Sequence, residues 1–375
     1  MEKFDVIVVG TGGVGSAALY HLASRGVRVL GLDQFSQAHS RGSSHGQSRI
    51  IRQAYFEHPD YVPLLLEAYQ LWEDVQQQSQ RKLFHQVGLF EAGPPDGELI
   101  PGVMQSVTQH NLPIEELSQA DAKSRFPFSI AGDSSVVFEP TGGYLLVEQC
   151  VQTHLDLARE TGADWRQEEV VEWKSNTNSV VVQTSSESYE ADRLLICGGA
   201  WSQSLLSEIG VPLRVLSKQQ YWFEADDVAK DMPTFFFETP DGCYYGFPAI
   251  ANETSGEYGM KVARHSGGVP HTEPVDLEKL TDPDDEAATR SFIAKHLPFC
   301  GERLLRREAC MYTLSPDEHF IVDRHPNSDR VAFAAGLSGH GFKFTSVLGR
   351  VLADLSLGTA EMPETDFLRL SRFGN

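Results

Sequence analysis

Apolar residues run from Val6 to Val9 after Phe4 and stop at a glycine, the pattern of a short strand buried on both faces. Gly10-Thr11-Gly12-Gly13-Val14-Gly15 follows and fits GxGxxG. Val14, Ala17, Ala18, His21 and Leu22 then recur at helical spacing until Gly26. A second run, Val27 to Leu32, closes on Asp33, eighteen residues after Gly15. Strand, tight turn, helix N-terminus, strand and acidic residue in that order predict dinucleotide binding. Gly10 permits the turn, Gly12 lets a pyrophosphate approach the backbone, and Gly15 lets helix and strand pack closely. Asp33 is placed to accept from the adenosine ribose hydroxyls and would repel a 2′-phosphate, which argues against NADP. The motif alone leaves FAD and NAD open.

Further along, Leu145 to Arg159 carries a helical apolar face, and Ser179–Thr184 and Arg193–Cys197 read as strands. Val331 to Ala335 is strand-like and enters Gly336-Leu337-Ser338-Gly339-His340-Gly341. A helical stripe of Phe342, Val347, Leu348, Val351, Leu352 and Leu355 follows. Both ends of the chain are thus expected in one layer. Segments 84–140 and 212–314 differ: prolines, aromatics and alternating runs such as Gln219–Phe223 and Cys243–Phe247 favour an antiparallel second layer. Thr281 to Leu297 is expected as a helix with an acidic start on the solvated side. The reading is an α/β protein of two interleaved domains. Segments 1–83, 141–211 and 315–375 bind the nucleotide, segments 84–140 and 212–314 form the substrate domain, and a crevice lies between them.

Charge narrows the function. Among 375 residues, 52 acidic against 31 basic residues give a net charge of -21, which repels phosphate backbones and argues against a nucleic-acid partner. The first apolar run is far too short to span a bilayer and has no signal-cleavage pattern, so no membrane association is expected. Five scattered cysteines without a CxxC read as reduced thiols in a cytoplasmic setting. No HExxH or zinc-type cysteine spacing suggests a metal, and Gly336-Leu337-Ser338-Gly339 lacks the full nucleophile elbow of a serine hydrolase.

Against that acidic background Arg41, Arg49 and Arg52 cluster with Ser40, Gly42, Ser43, Ser44, Gly46 and Ser48. Such a segment can curl around a cofactor, and Arg49 and Arg52, three apart, could share one face of a helical turn. Arginine clamps a carboxylate bidentately, but ordinary pairing with surface acids accounts for the same charges. Lys343 is open in the same way, as a solvated helix residue or a ligand, whereas Cys310, in a mostly apolar neighbourhood, reads by default as an inert buried thiol.

The run His39-Ser40-Arg41-Gly42-Ser43-Ser44-His45-Gly46-Gln47-Ser48-Arg49-Ile50-Ile51-Arg52 resembles the sarcosine/pipecolate members of the monomeric sarcosine oxidase family. Tyr244-Tyr245-Gly246-Phe247-Pro248, Cys310-Met311-Tyr312-Thr313, Pro316-Asp317-Glu318 and Gly339-His340-Gly341-Phe342-Lys343 carry the same resemblance, which extends from Phe4 to Phe373. It implies a glutathione-reductase-like FAD-binding domain interleaved with a second domain on a mixed or antiparallel sheet. The FAD would be covalent, 8α-S-cysteinyl through Cys310. Arg52 and Lys343 match the residues that hold the substrate carboxylate, and Lys261 the lysine over the flavin that promotes reaction with oxygen. Arg49 matches its basic companion, and Tyr245 and His265 match side chains lining the substrate cavity. Gly10, Gly12, Gly15, Asp33, Arg41, Ser43, Ser44 and His45 are expected around the cofactor. Ser48, Val170, Gly339, Gly341, Phe342 and Lys343 complete that set. The stretch between Tyr245 and Lys261 is expected as a loop, longer than in the bacterial sarcosine enzymes.

The activity so implied is oxidation of a small secondary α-amino acid (sarcosine, another N-methyl amino acid or L-pipecolate) to an imine, with O2 reduced to H2O2. A dehydrogenase passing electrons to a carrier or quinone is the alternative enzyme, and a noncatalytic flavin-binding protein the alternative outside catalysis. The expected partners are the amino acid and O2, with no obligate protein partner and a monomeric state.

Overall fold

The computed structural model describes residues 1–252, 255–359 and 363–374, apart from the side chain of Lys279. Strand Glu2–Val9 lies at the centre of a sheet, parallel to Ser188–Ile196 on one side and Val29–Asp33 on the other. Asp164–Gln167 extends it beyond Val29–Asp33, and Ser328–Ala335 joins Ser188–Ile196 in parallel. The continuous apolar run follows from burial on both faces. Val6 and Val8 enter one core with helices Gly13–Ala23, Val62–Ser79, Val147–Glu160 and Thr345–Leu357. Phe4, Ile7 and Val9 enter the core on the other face. The two terminal units meet in this layer, where Gly349 lets Thr345–Leu357 approach Gly13–Ala23: a Cβ there would lie 2.5 Å from Ala17 Cβ.

A second sheet runs in the order Val269–His271, Arg214–Ala225, Tyr258–Arg264, Gly242–Ala251, Thr234–Thr239, Leu89–Gly93, Ser135–Glu139 and Glu115–Leu117. The long strand Cys300–Leu314 also pairs with Arg214–Ala225. The pairing is antiparallel except where Thr234–Thr239 meets Leu89–Gly93 in parallel. A small third sheet, Ser48–Ile51, Gly143–Leu146 and Phe84–His85, completes the sheet structure among the described residues.

Four expectations need correction. Arg49 and Arg52 do not share a helical turn, because Ser48–Ile51 is a strand paired with Gly143–Leu146 and Arg52 follows its end. Segment 84–140 is not sheet alone, since it holds helices Leu99–His110 and Gln119–Arg125. The expected helix at 281–297 spans Pro283–His296, capped by Asp282 accepting from the Asp285 amide. It is not simply solvated, because Phe292 and Ile293 enter the second sheet's core. The long segment after Tyr245 is largely hairpin rather than loop, with Gly242–Ala251 paired to Tyr258–Arg264; positions 253 and 254, between those strands, lie outside the described residues.

Candidate active site

A cavity with about 1920 Å³ of atom-free space, part of it open to solvent, lies between the two large sheets. The first layer contributes Gly10, Gly12, Asp33, Val170 and the turn Gly339–Lys343. The second contributes Phe236, Tyr245, His265 and Tyr312, and the connecting segment adds Ser43, Ser44, Arg49 and Arg52. Fourteen of the twenty residues expected at a site therefore share one wall. Gly15, Arg41, His45, Ser48, Lys261 and Cys310 are not part of that wall.

The nucleotide end is built by backbone geometry. Gly10 has φ +83°, and a Cβ on it would lie 2.4 Å from Cys197 O. A Cβ on Gly15 would lie 1.8 Å from Gly10 O, so Gly15 acts behind the wall by holding helix against turn. Gly12 caps Gly13–Ala23 without a side-chain bond, and the Gly13 amide donates to Ser44 Oγ at 3.1 Å. Such a turn, with amides at a helix N-terminus, fits the diphosphate of FAD. Asp33 lines the cavity and already accepts three hydrogen bonds, which leaves its Oδ1 with acceptor capacity for a ribose hydroxyl. Its Oδ2 accepts from Thr11 N (2.7 Å) and Thr11 Oγ1 (3.1 Å), and its Oδ1 accepts from Phe35 N at 3.1 Å. Arg41 turns to solvent instead of the cavity, where Asp276 and Glu278 attract its guanidinium at 3.5 and 3.2 Å.

The opposite part of the cavity is organised around a buried cation. Arg52 Nη2 donates to Glu57 Oε2 at 2.7 Å and Oε1 at 2.9 Å, and Nη1 lies 3.7 Å from Glu91 Oε1. Its Nε has no partner among the described residues. Burial disfavours this charge, but Glu57 and then Glu91 outweigh it and hold the Arg52 pKa above its ordinary value. Burial likewise opposes ionisation of Glu57, and Arg52 overcomes it, bringing the carboxyl down to about 2.

Lys343 reaches the same place from Gly341. A 3-10 turn, Phe342–Phe344, comes between that glycine and helix Thr345–Leu357. The Lys343 ammonium and the Arg52 guanidinium lie 5.0 and 4.9 Å from the centre of the Tyr55 ring. Lys343 Nζ donates to His340 O at 2.8 Å and Tyr55 Oη at 3.4 Å. His340 Nε2 lies 3.0 Å from Glu318 O; a carbonyl only accepts, so the proton sits on Nε2. His340 Nδ1 then accepts from Tyr55 Oη at 2.5 Å. Burial, aided by Arg52, pushes Lys343 down to about 7.

A second basic group sits beside the cavity. Lys261, 1% exposed, donates to Gly46 O (2.7 Å) and Ser48 O (2.8 Å), which ties the serine backbone to the second sheet. Burial and then Arg49 hold its pKa well below the ordinary range. Arg49 donates to Ser48 O, Gln220 Oε1 and Ser43 O at 2.9, 3.3 and 3.0 Å, and its charge acts on Cys310, Tyr245 and Tyr312. Cys310 is buried opposite Lys218 in the strand pairing. His45 is buried with Nδ1 3.5 Å from Glu308, two residues before Cys310. Burial pushes Tyr245 up to about 12 and His265 down to about 3, so both rings face the cavity neutral at pH 7.

Sequence reasoning missed Tyr55, Glu57, Glu91 and His340. Glu91 carried a signal, since in Leu89-Phe90-Glu91 the acid occupies an inward strand position. Glu57 and Tyr55 carried none beyond closeness to Arg52.

The FAD dependent oxidoreductase family profile matches residues 5–355. The monomeric sarcosine oxidase of Streptomyces avermitilis is 40% identical over 370 residues, spanning 96% of this chain and 95% of that protein. The N-methyl-L-tryptophan oxidase of Salmonella dublin is 36% identical over 378 residues, spanning 99% of each. The open form of NikD, an amino acid oxidase of nikkomycin biosynthesis, shares the fold with a TM-score of 0.86, 24% identity and 98% of each chain covered. The chain belongs to the FAD-dependent oxidoreductase family and, within it, to the monomeric sarcosine oxidase family. It is an FAD-dependent enzyme that oxidises the CH–NH group of an amino-acid substrate with oxygen as acceptor, on an α/β FAD-binding fold with a mixed second sheet. No described helix is long and apolar enough to cross a membrane.

Proposed function

We propose that the substrate is a small secondary α-amino acid, sarcosine, another N-methyl amino acid or L-pipecolate, oxidised to its imine with release of H2O2. The observation that supports this best is Arg52, a buried guanidinium whose Nε has no partner among the described residues, with Lys343 within 5.0 Å of the same Tyr55 ring centre. A carboxylate entering here meets two cations and gains the bidentate geometry that arginine favours. Two positive charges near a bound zwitterion also lower the pKa of its ammonium, which favours the neutral amine needed for oxidation. Phe236, Tyr245 and His265 supply a neutral aromatic wall beside the carboxylate, suited to an N-methyl group or a small ring.

When bound, FAD supplies the two-electron acceptor for the amine α-carbon and passes the electrons to O2. Gly10, Gly12 and the first turn of Gly13–Ala23 would hold its diphosphate, with Ser43, Ser44, Asp33 and Val170 along the remainder. Cys310 would anchor it through a thioether to the 8α carbon, with Arg49 and His45 nearby. Lys261 would offset negative charge developing on oxygen. We assign segments 1–83, 141–211 and 315–375 to the FAD-binding domain and 84–140 and 212–314 to the substrate domain, in a monomer that needs no protein partner.

The test is oxygen consumption by the purified holoenzyme with sarcosine, N-methyl amino acids, L-proline and L-pipecolate. Uptake of O2 with equal release of H2O2 for at least one of them supports the assignment. No turnover with any of them rejects it.

A further inference from the structure

Arg52 faces a second acid that binding of a substrate carboxylate does not explain. Strand Leu89–Gly93 alternates, so Phe90 and Ala92 enter the core of the second sheet while Leu89 and Glu91 point to the opposite face. Beside Glu91 on the neighbouring strands stand Val137 and Phe236, and helix Leu99–His110 covers that face with Leu99, Ile100 and Val103. A carboxyl therefore occupies an apolar position of the pleat, 0% exposed, and neither oxygen has a hydrogen-bond partner among the described residues. Ionised groups are rarely left so, because a buried charge without hydrogen bonds bears its full desolvation cost. Its neighbour Glu139 shows the contrast, accepting from Gln53 N (2.7 Å), Ala54 N (3.0 Å) and Thr141 Oγ1 (2.9 Å).

The charged groups facing Glu91 are Arg52 after strand Ser48–Ile51, Glu57 in the turn beyond it, and Glu139 on the adjacent strand. Only Arg52 favours the carboxylate. Burial, helped by both acids and opposed by Arg52, pushes Glu91 up to about 8. An anion arriving on Arg52 would compete for the one charge that stabilises Glu91 as an anion.

We propose that Glu91 is a positioning residue that carries a proton whenever a carboxylate occupies Arg52, so that substrate binding at alkaline pH draws one proton from solvent into the protein. The neutral carboxyl leaves Glu57 as the one counter-charge on Arg52 and keeps Nε and Nη1 turned to substrate; the ionised carboxylate would pull the guanidinium away. Anionic ligands consequently bind more weakly as pH rises past the Glu91 transition.

This inference rests on the reading that Arg52 receives the substrate carboxylate, and the test separates the two. Methoxyacetate has the length of sarcosine with an ether oxygen in place of the amine, so it neither reacts nor titrates in the range used. Its binding to holoenzyme is followed by flavin absorbance, and proton uptake by calorimetry in buffers of different ionisation heat. Lys343, lowered to about 7, also gains a proton beside a carboxylate, so the Glu91 share is read in Lys343→Met. There, uptake should be near zero at about pH 6 and approach one proton per site at about pH 8.5–9. It should vanish when Glu91→Gln is added, and methoxyacetate affinity should then lose most of its alkaline decline. Glu57 is a rival acceptor: uptake that is absent in Lys343→Met, or that persists there when Glu91→Gln is added, overturns the proposal. A second readout needs no Glu91 variant. Binding at about pH 8.5 should raise a protonated-carboxyl C=O band in the infrared difference spectrum that survives in Glu57→Gln. Its absence overturns the proposal. Arg52-dependent binding without uptake rejects the role of Glu91 alone, whereas equal binding by wild type and Arg52→Met rejects the carboxylate reading with it.

Discussion

Arg52 Nη2 contacts both carboxylate oxygens of Glu57, at 2.7 and 2.9 Å, while Nε remains unpartnered and Nη1 finds Glu91 only at 3.7 Å. The guanidinium is thus half committed: one nitrogen is hydrogen-bonded, Nη1 has only the long contact to Glu91, and Nε has no partner among the described residues. Glu57→Gln should keep the side chain's volume but remove the competing charge, and so tighten methoxyacetate binding. Arg52→Met should weaken it by at least about 30-fold, because breaking a buried charged contact costs about 2–5 kcal/mol. Titration of flavin absorbance in the three proteins checks both directions.

Lys261 and Lys343 are both buried lysines with lowered pKa values, yet they should fail differently. Lys261→Met should slow reoxidation of the reduced enzyme by air by about 10²–10³-fold, the usual loss when one donor to a developing anion is removed. Reduction by substrate should change far less. Lys343→Met should instead raise KM and leave reoxidation nearly intact. Rapid mixing of each half-reaction separates the outcomes.

Cys310 is shielded from solvent on a strand shared with Lys218, near the charge of Arg49. Cys310→Ser should fold and still take up FAD, but lose the flavin that stays with the polypeptide through acid precipitation. Absorbance of the washed precipitate reports the result directly.

Much of the nucleotide cradle was legible in the sequence because its demands are local. Gly10 needs a positive φ, Gly15 needs the absence of a Cβ, and Val6–Val9 needs two apolar faces, and each leaves a mark within a few residues. The cation cluster was only half legible. Arg49, Arg52 and Lys343 stood out in an acidic chain, and the resemblance gave them roles. Their counter-ions could not be read, since Glu91 reaches Arg52 from a strand nearly 40 residues away and Glu57 looks like any surface acid. The mistaken helical turn at Arg49–Arg52 has the same origin: pairing with Gly143–Leu146 decides that backbone, and a three-residue spacing does not.

His154 predicts an acid limit to stability. It is buried between Tyr20 and Trp72 with both ring nitrogens unpartnered among the described residues, and burial pushes it down to about 3. His21 nearby is pushed down to about 4 by burial and Arg25. The unfolded chain takes up these protons near pH 6.5, before the folded one does. Stability from the neutral rings is therefore full above about pH 6.5 and erodes as pH falls toward 4. His154→Phe should flatten that decline while leaving Tm at pH 8 within a few degrees, as thermal melts across pH would show.

The central claim is that a secondary amino acid held by Arg52 and Lys343 reduces the bound flavin. Anaerobic mixing of holoenzyme with sarcosine or L-pipecolate, followed by admission of air, tests it most directly. The flavin absorbance should bleach, return with air as H2O2 forms, and bleach far more slowly at low substrate in Arg52→Met. A spectrum unchanged by every secondary amino acid, or bleaching indifferent to loss of Arg52, would contradict the account.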